Sequence, residues 1–323
     1  MKVIVLGAGS IGTLFGTTLL KGGHEVIFLD AWQPLIYAIS KEPFAVIKHE
    51  DNLEKIPIKL YPSHEPPQFE PELILVSVKS IATKNAIQMI KSKGLIKDNT
   101  VILTCQGGFE NADIIANELN NKQLLIHGCT KSHCKSVGPM KIENYHIGET
   151  IVWPYNLQSG QPIPENVTKV VEICNQCGLQ ITISETAIAE KWKMLLGYPT
   201  IYALAAVCGL SIGNIWNANR GEAILTNLIK EVVSVAKKEG IREDLFNEEI
   251  ATKYIETLAE ENPDQPGTML LDVAAHRVTE VDATSGALLR KGEKYGLSLP
   301  TIQAVWSILR IREENYGYEY ESR

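Results

Sequence analysis

Short apolar runs and amphipathic stretches alternate along the first half of the chain. Residues 2–6 (KVIVL) and 26–29 are apolar and β-rich, and similar runs fall at 45–48, 59–61, 73–78, 100–105, 124–129 and 145–148. Helical patterns stand between several of them, at 13–21, 81–92 and 112–120, and a further one covers 167–177. Such alternation predicts a mostly parallel, doubly wound sheet whose ligand lies over the carboxyl ends of the strands. After about residue 182 the strand signals stop. Helical patterns then cover 185–196, 201–208, 223–239, 247–260, 268–295 and 301–316, with Gly240 and Gly296 marking helix ends. The expected fold is therefore α/β over residues 1–183 and mostly α-helical over 184–323.

The first turn sharpens this. Strand 2–6 runs directly into Gly7-Ala8-Gly9-Ser10-Ile11-Gly12, then a helical stretch, then a second strand that ends in Asp30. Strand, G-x-G-x-x-G, helix, strand and acid together form the fingerprint of a Rossmann-type dinucleotide site. Gly7 permits the tight turn, Gly9 lets the backbone approach a pyrophosphate, and Gly12 lets the helix pack close to the strand. The free N–H groups of Ser10, Ile11 and their neighbours at the helix start favour phosphate charge. Asp30 lies 18 residues after Gly12, where its carboxylate can accept hydrogen bonds from ribose hydroxyls. That carboxylate repels a 2′-phosphate, and no Arg or Lys follows before Lys41, so NAD is expected, with NADP the alternative.

Composition narrows the class. A chain of 323 residues suits two domains, and a net charge of −7 argues against nucleic acid or an anionic membrane as partner. No apolar run reaches about 18 residues, so no membrane span is expected. The first strand occupies the N-terminus, which leaves no room for a signal peptide. Cysteines are scattered at 105, 129, 134, 174, 177 and 208, which fits a reduced, cytoplasmic chain. Cys174 and Cys177 have C-x-x-C spacing but no second pair for zinc, and no metal site is expected.

Three further segments carry candidate chemistry. Lys79 in VSVKS (76–80) follows a buried strand and can offer a point charge to a carboxylate or phosphate. Gln106 and Gly107 in TCQGG (104–108) follow the next strand, where an amide and a close backbone approach suit a cofactor. Thr268, Asp272, Thr279 and Glu280 recur at roughly helical spacing as a polar stripe on the apolar 268–295 pattern.

Together with HIG at 146–148 and a helix led by Trp192, these segments resemble the ketopantoate reductase (2-dehydropantoate 2-reductase) family over nearly the whole chain. TML, RVTEVD and SG near the end are the most specific pieces. The resemblance implies a Rossmann domain and a helical domain with the active site between them, hydride transfer to a 2-keto acid, and a homodimer. By position, it places Lys79 and Gln106 near cofactor and substrate, Glu280 as the catalytic carboxylate, and Thr268 where the family has a substrate-binding serine.

One region departs from the family pattern. The family carries a catalytic lysine two residues after the helix tryptophan and asparagines four and eight residues beyond it; here those positions are Met194, Tyr198 and Tyr202. Reducing a ketone places charge on its oxygen, which calls for a proton donor that a thioether cannot supply. Lys191, Lys193 and Tyr198 are the candidates to supply it, and Tyr202 is a candidate substrate contact. Pro199 removes a helix hydrogen bond within this stretch. The activity expected is reduction of a small keto acid or oxidation of the hydroxy acid. An opine-type dehydrogenase and an inactive dinucleotide sensor are the alternatives.

Overall fold

A computed structural model describes residues 1–50 and 52–317. The chain forms two units: Met1–Gln106 with Asn111–Ile188, and Gly107–Glu110 with the chain from Ala189 onward.

In the first unit β1 (Lys2–Leu6) is buried from Val3 to Leu6, on both faces, as a central parallel strand must be. It belongs to an eight-stranded sheet. The order is β12 (Ile181–Ile183), β11 (Thr150–Pro154), β8 (Leu124–Thr130), β7 (Val101–Thr104), β6 (Leu73–Val76), β1, β2 (Glu25–Asp30) and β5 (Leu60–Pro62). All neighbours run parallel except β8 and β11. Successive side chains face opposite sides, so Val3, Val5 and Phe28 pack with α1 (Ser10–Lys21) and α5 (Glu165–Gln176). Ile4, Leu6 and Ile74 pack with α3 (Thr83–Ser92) and α4 (Asn111–Glu118) on the other side. The doubly wound, mostly parallel sheet expected from the alternation is the one observed.

A second sheet was not expected. Its order is β4 (Asn52–Pro57), β3 (Phe44–His49), β10 (Lys141–His146) and β9 (His133–Gly138), and β9 and β10 lie against α1. The run at 145–148 is thus not a strand of its own: the strand begins earlier, at Lys141, and ends at His146. β9 is mostly exposed and polar, which hides its strand character from a hydrophobicity pattern.

The second unit is helical. α6 (Ala187–Leu195) leads into a π-helical turn, Tyr198–Tyr202, and then α7 (Ala203–Cys208). Longer helices follow, among them α9 (Gly221–Lys238), α10 (Glu248–Glu261) and α13 (Pro300–Glu314). Pro199 has no N–H to give, and the Tyr202 N–H reaches back five residues to the Gly197 carbonyl, at 2.8 Å. Residues 107–110 join this unit through the Phe109 ring, 4.5 Å from Trp192, and through Glu110, which pairs with Arg290 at 2.7 Å.

The expected helix over 268–295 is broken. α11 (Thr268–Ala274) stops because His276 adopts left-handed φ 52° and the Arg277 N–H turns back to the Asp272 carbonyl. A second π-helical turn, Asp282–Gly286, precedes α12 (Ala287–Tyr295). The polar stripe drawn on one helix face therefore does not exist. Thr279 bonds the Glu313 carboxylate instead, and Asp272 pairs with Arg277.

Candidate active site

Strand order reverses beside β1: β2 follows on one side, while β6, β7 and β8 build the other. The cleft outside the carboxyl ends of β1 and β6 is where an open α/β sheet takes its ligand. A cavity of about 860 Å³ lies there. Gly7–Ser10 and Ser77–Lys79 line it, with Asp30 and Trp32 from the end of β2.

The three motif glycines meet different surroundings. A Cβ on Gly7, whose φ is +99°, would come within 2.6 Å of the Val78 nitrogen. One on Gly12 would overlap the Gly7 carbonyl oxygen and the Ser77 hydroxyl. At Gly9 the nearest atom would be 4.0 Å away, and Gly9 lines the cavity. Gly7 and Gly12 are thus needed by the fold, whereas Gly9 leaves space to the cavity. That space, beside the start of α1, suits a pyrophosphate, so these residues fit a bound dinucleotide.

Asp30 braces the turn it faces. Its Oδ2 accepts the Ala8 N–H at 2.8 Å and its Oδ1 the Trp32 N–H at 2.9 Å. A carboxylate has about four lone-pair positions, so two remain for a ribose diol. Lys79 is exposed and is the one basic side chain among the described lining residues. Its neighbours are anchored: Gln106 Nε2 donates to the Val78 carbonyl at 2.6 Å, and Asn111 Nδ2 donates to the Ser80 hydroxyl at 2.9 Å. Gln106 also donates to Thr83 at 2.9 Å and accepts from the Thr104 hydroxyl at 2.8 Å. The Gln106 amide is therefore spent on holding the Lys79 loop, and it does not line the cavity.

The second unit gathers its own polar cluster. Tyr198 lies near Thr268, at the start of α11, and in the field of the Glu280 carboxylate. Burial, with Glu280 next, pushes the phenol up to about 12. Tyr202 meets Tyr198 edge-on, with centroids 5.4 Å apart and planes at 90°. Burial raises the Tyr202 phenol too. A Cβ on Gly107 would lie 3.8 Å from Glu280 Oε2, so the glycine turn after β7 borders this cluster. Of the lysines, Lys193 pairs with Glu190 at 3.0 Å, one turn back on α6, and Lys191 is buried.

The structure thus brings Tyr198, Tyr202, Thr268, Glu280 and Gly107 together in one unit. In the other it brings together Gly7, Gly9, Ser10, Asp30 and Lys79. Sequence reasoning missed Ser77, whose hydroxyl donates to the Gly7 carbonyl at 2.6 Å, although it stands in the quoted VSVKS run. It also missed the β9–β10 turn, whose Gly138, Pro139 and Met140 line the cavity. The Gly-Pro pair there was the available signal.

The family model described as "Ketopantoate reductase PanE/ApbA" matches residues 3–156, and its C-terminal counterpart matches residues 186–313. A 2-dehydropantoate 2-reductase of Streptococcus pyogenes serotype M3 is 26% identical, over 97% of this chain and 98% of that one. One from Pyrococcus horikoshii is 27% identical, over 98% and 99%. Among solved structures, D-mandelate dehydrogenase with NADH and anilino(oxo)acetate superposes with a TM-score of 0.83 at 21% identity, covering 98% of this chain and all of that one. A putative 2-dehydropantoate 2-reductase from Enterococcus faecalis gives a TM-score of 0.78 at 23% identity, covering 99% of this chain and 100% of that one.

Proposed function

The chain belongs to the ketopantoate reductase family, and from that premise we propose that it reduces a small 2-keto acid, or a related carbonyl, with a nicotinamide dinucleotide. The observation that carries this reading is Gly9, a glycine that the packing does not require and that lines the cavity. Gly7, Gly9, Ser10, Ile11 and Gly12 hold the pyrophosphate, and Asp30 takes the ribose hydroxyls. Lys79 adds a positive charge on the cavity wall, and Gln106 fixes the loop that carries it. A reduced nicotinamide bound there supplies hydride to the carbonyl carbon. In the second unit, Thr268 contacts the substrate carboxylate, and Glu280, bordered by Gly107, sets the electrostatics around the reacting oxygen.

NAD is the proposed cofactor. The Asp30 charge opposes a 2′-phosphate, and the described lining residues include no Arg to receive one. The proposed substrate differs from ketopantoate, because Met194, Tyr198 and Tyr202 replace the lysine and both asparagines of the family pattern. Met194 also supports a second reading, an inactive dinucleotide sensor. One of the solved structures it resembles is a dimeric ketopantoate reductase from Staphylococcus aureus, and a homodimer is proposed here too, to be read by light scattering.

Titration with NADH and NADPH, followed by NADH oxidation against a panel of 2-keto acids with and without amines, tests these readings. NADH should bind more tightly than NADPH, and at least one keto acid should be reduced without an amine. Turnover only with an amine present would favour an opine-type dehydrogenase. NADH binding with no turnover on any member would favour the sensor.

A further inference from the structure

We propose that His133 and His146 together bind one divalent transition-metal ion, of the zinc or copper kind, at the corner where the β8–β11 pair passes into β9–β10. The site lies wholly within the first unit and does not depend on the reductase reading.

The argument begins with strand register. Thr130 and Thr150 are opposite each other at the end of the β8–β11 pair. A few residues on, β9 and β10 run antiparallel, and His133, the first residue of β9, stands directly opposite His146, the last of β10. Opposed residues on such a pair hold their Cβ atoms about 4.5–5.5 Å apart, so one ion can reach both side chains. The two imidazole rings lie with centroids 5.4 Å apart and planes at 38°. A metal–nitrogen bond of about 2.1 Å puts an ion about 3.2 Å from each ring centre, so two rings bound at a tetrahedral angle stand about 5.2 Å apart. The backbone therefore holds the pair at chelating distance. Both residues are exposed, and the ring rotations that aim a nitrogen at the ion take place at the surface.

The chemistry of the rings and their surroundings fits. His133 Nδ1–H donates to the Lys131 carbonyl at 3.3 Å. A carbonyl only accepts, so this bond keeps the proton on Nδ1 and leaves Nε2 a lone pair for a metal. Metal-binding histidines are held in this way, through the N–H of the other ring nitrogen. The lysines on either side are offset by acids: Lys131 pairs with Glu149 at 3.0 Å, and Lys135 stands opposite Glu143. Among the described residues no third His, Cys, Asp or Glu joins the pair, so water completes the coordination. Two neutral imidazoles suit zinc, copper and nickel, whereas Mg²⁺ and Ca²⁺ take oxygen ligands. β9 is the edge strand of its sheet, and register shifts interrupt its ladder with β10. An ion across its first residue ties this edge to β10 where strand pairing is least regular.

The test uses the untagged full chain, stripped of metal, with Zn²⁺ and Cu²⁺ titrated by calorimetry. Wild type should bind one ion per chain, Cu²⁺ more tightly than Zn²⁺, and excess Mg²⁺ or Ca²⁺ should displace neither. His133→Ala and His146→Ala should each weaken Zn²⁺ binding about tenfold or more, at least the cost of disturbing a ligand's own support. His133→Gln and His146→Gln should do the same, and they serve if an alanine variant does not fold. His64→Ala, at another exposed histidine, should leave Zn²⁺ binding unchanged. Zn²⁺ should also slow amide exchange along β9 in wild type and not in His133→Ala. Wild type that binds neither Zn²⁺ nor Cu²⁺, or undiminished Zn²⁺ affinity in the His133 or the His146 variants, would overturn the site. Equal slowing of β9 exchange in wild type and His133→Ala would overturn it as well.

Discussion

A methyl group added to Gly9 would meet no atom closer than 4.0 Å, whereas one added to Gly7 would strike the Val78 backbone at 2.6 Å. The backbone at Gly9, φ −70° and ψ −171°, also suits alanine. Gly9→Ala should therefore leave thermal stability equal or slightly higher, by up to about 1 kcal/mol through the unfolded chain. NADH affinity should fall about tenfold or more, because the new methyl fills the pyrophosphate space. Gly12→Ala should instead destabilise by about 1–3 kcal/mol, as overpacking does. Melting curves with and without NADH separate the two effects, since saturating ligand raises the transition only where it binds.

Tyr198 predicts a pH effect. Its phenol rises from 10.0 to about 12, through burial first and Glu280 second. The folded chain thus favours the neutral phenol more than the unfolded chain does. The resulting stability is fully present below pH 10 and is lost as pH climbs through about 12. The difference in melting temperature between wild type and Tyr198→Phe should stay constant up to pH 10. It should then move against wild type in the window from there to about 12. A constant difference through that window would contradict the assigned shift.

At the scale of elements, the buried parallel strands were legible because both their faces are apolar, so that β1, β6 and β7 read as unbroken hydrophobic runs. β9 and β4 were not, since each presents mostly polar, exposed positions and is held by pairing rather than by its own pattern. The break in 268–295 was hidden for another reason. Its stop signal is a left-handed His276 rather than the usual glycine, and the helical spacing of polar residues continues across it. His276 also stacks on Tyr316 at 5.2 Å, which helps hold that conformation. His276→Val should cost about 1–2 kcal/mol, the penalty for a Cβ-bearing residue in this region. His276→Gly should be far milder, because glycine regains in backbone ease much of what it loses in stacking. Chemical denaturation of both variants measures this.

For the molecule as a whole, the glycine turn, Asp30 and Lys79 were legible as a site because strand, turn and helix follow one another along the chain. The Tyr198 cluster was legible only as scattered candidates. Tyr198, Thr268 and Glu280 come from three separate segments, and nothing in their spacing shows that they lie near one another. Gln106 shows the reverse case: its position at a strand end fitted a cofactor contact, but its amide is consumed by Val78, Thr83 and Thr104.

The central claim is hydride transfer to a keto acid by a chain whose family lysine is Met194. The direct test supplies NADH deuterated at its reactive nicotinamide carbon, with the keto acid of highest turnover, and locates the label in the product. The account predicts one deuterium bound to the former carbonyl carbon of the hydroxy acid, formed in equal amount to the NADH consumed. Hydroxy acid without deuterium at that carbon, or NADH loss without hydroxy acid, would contradict it.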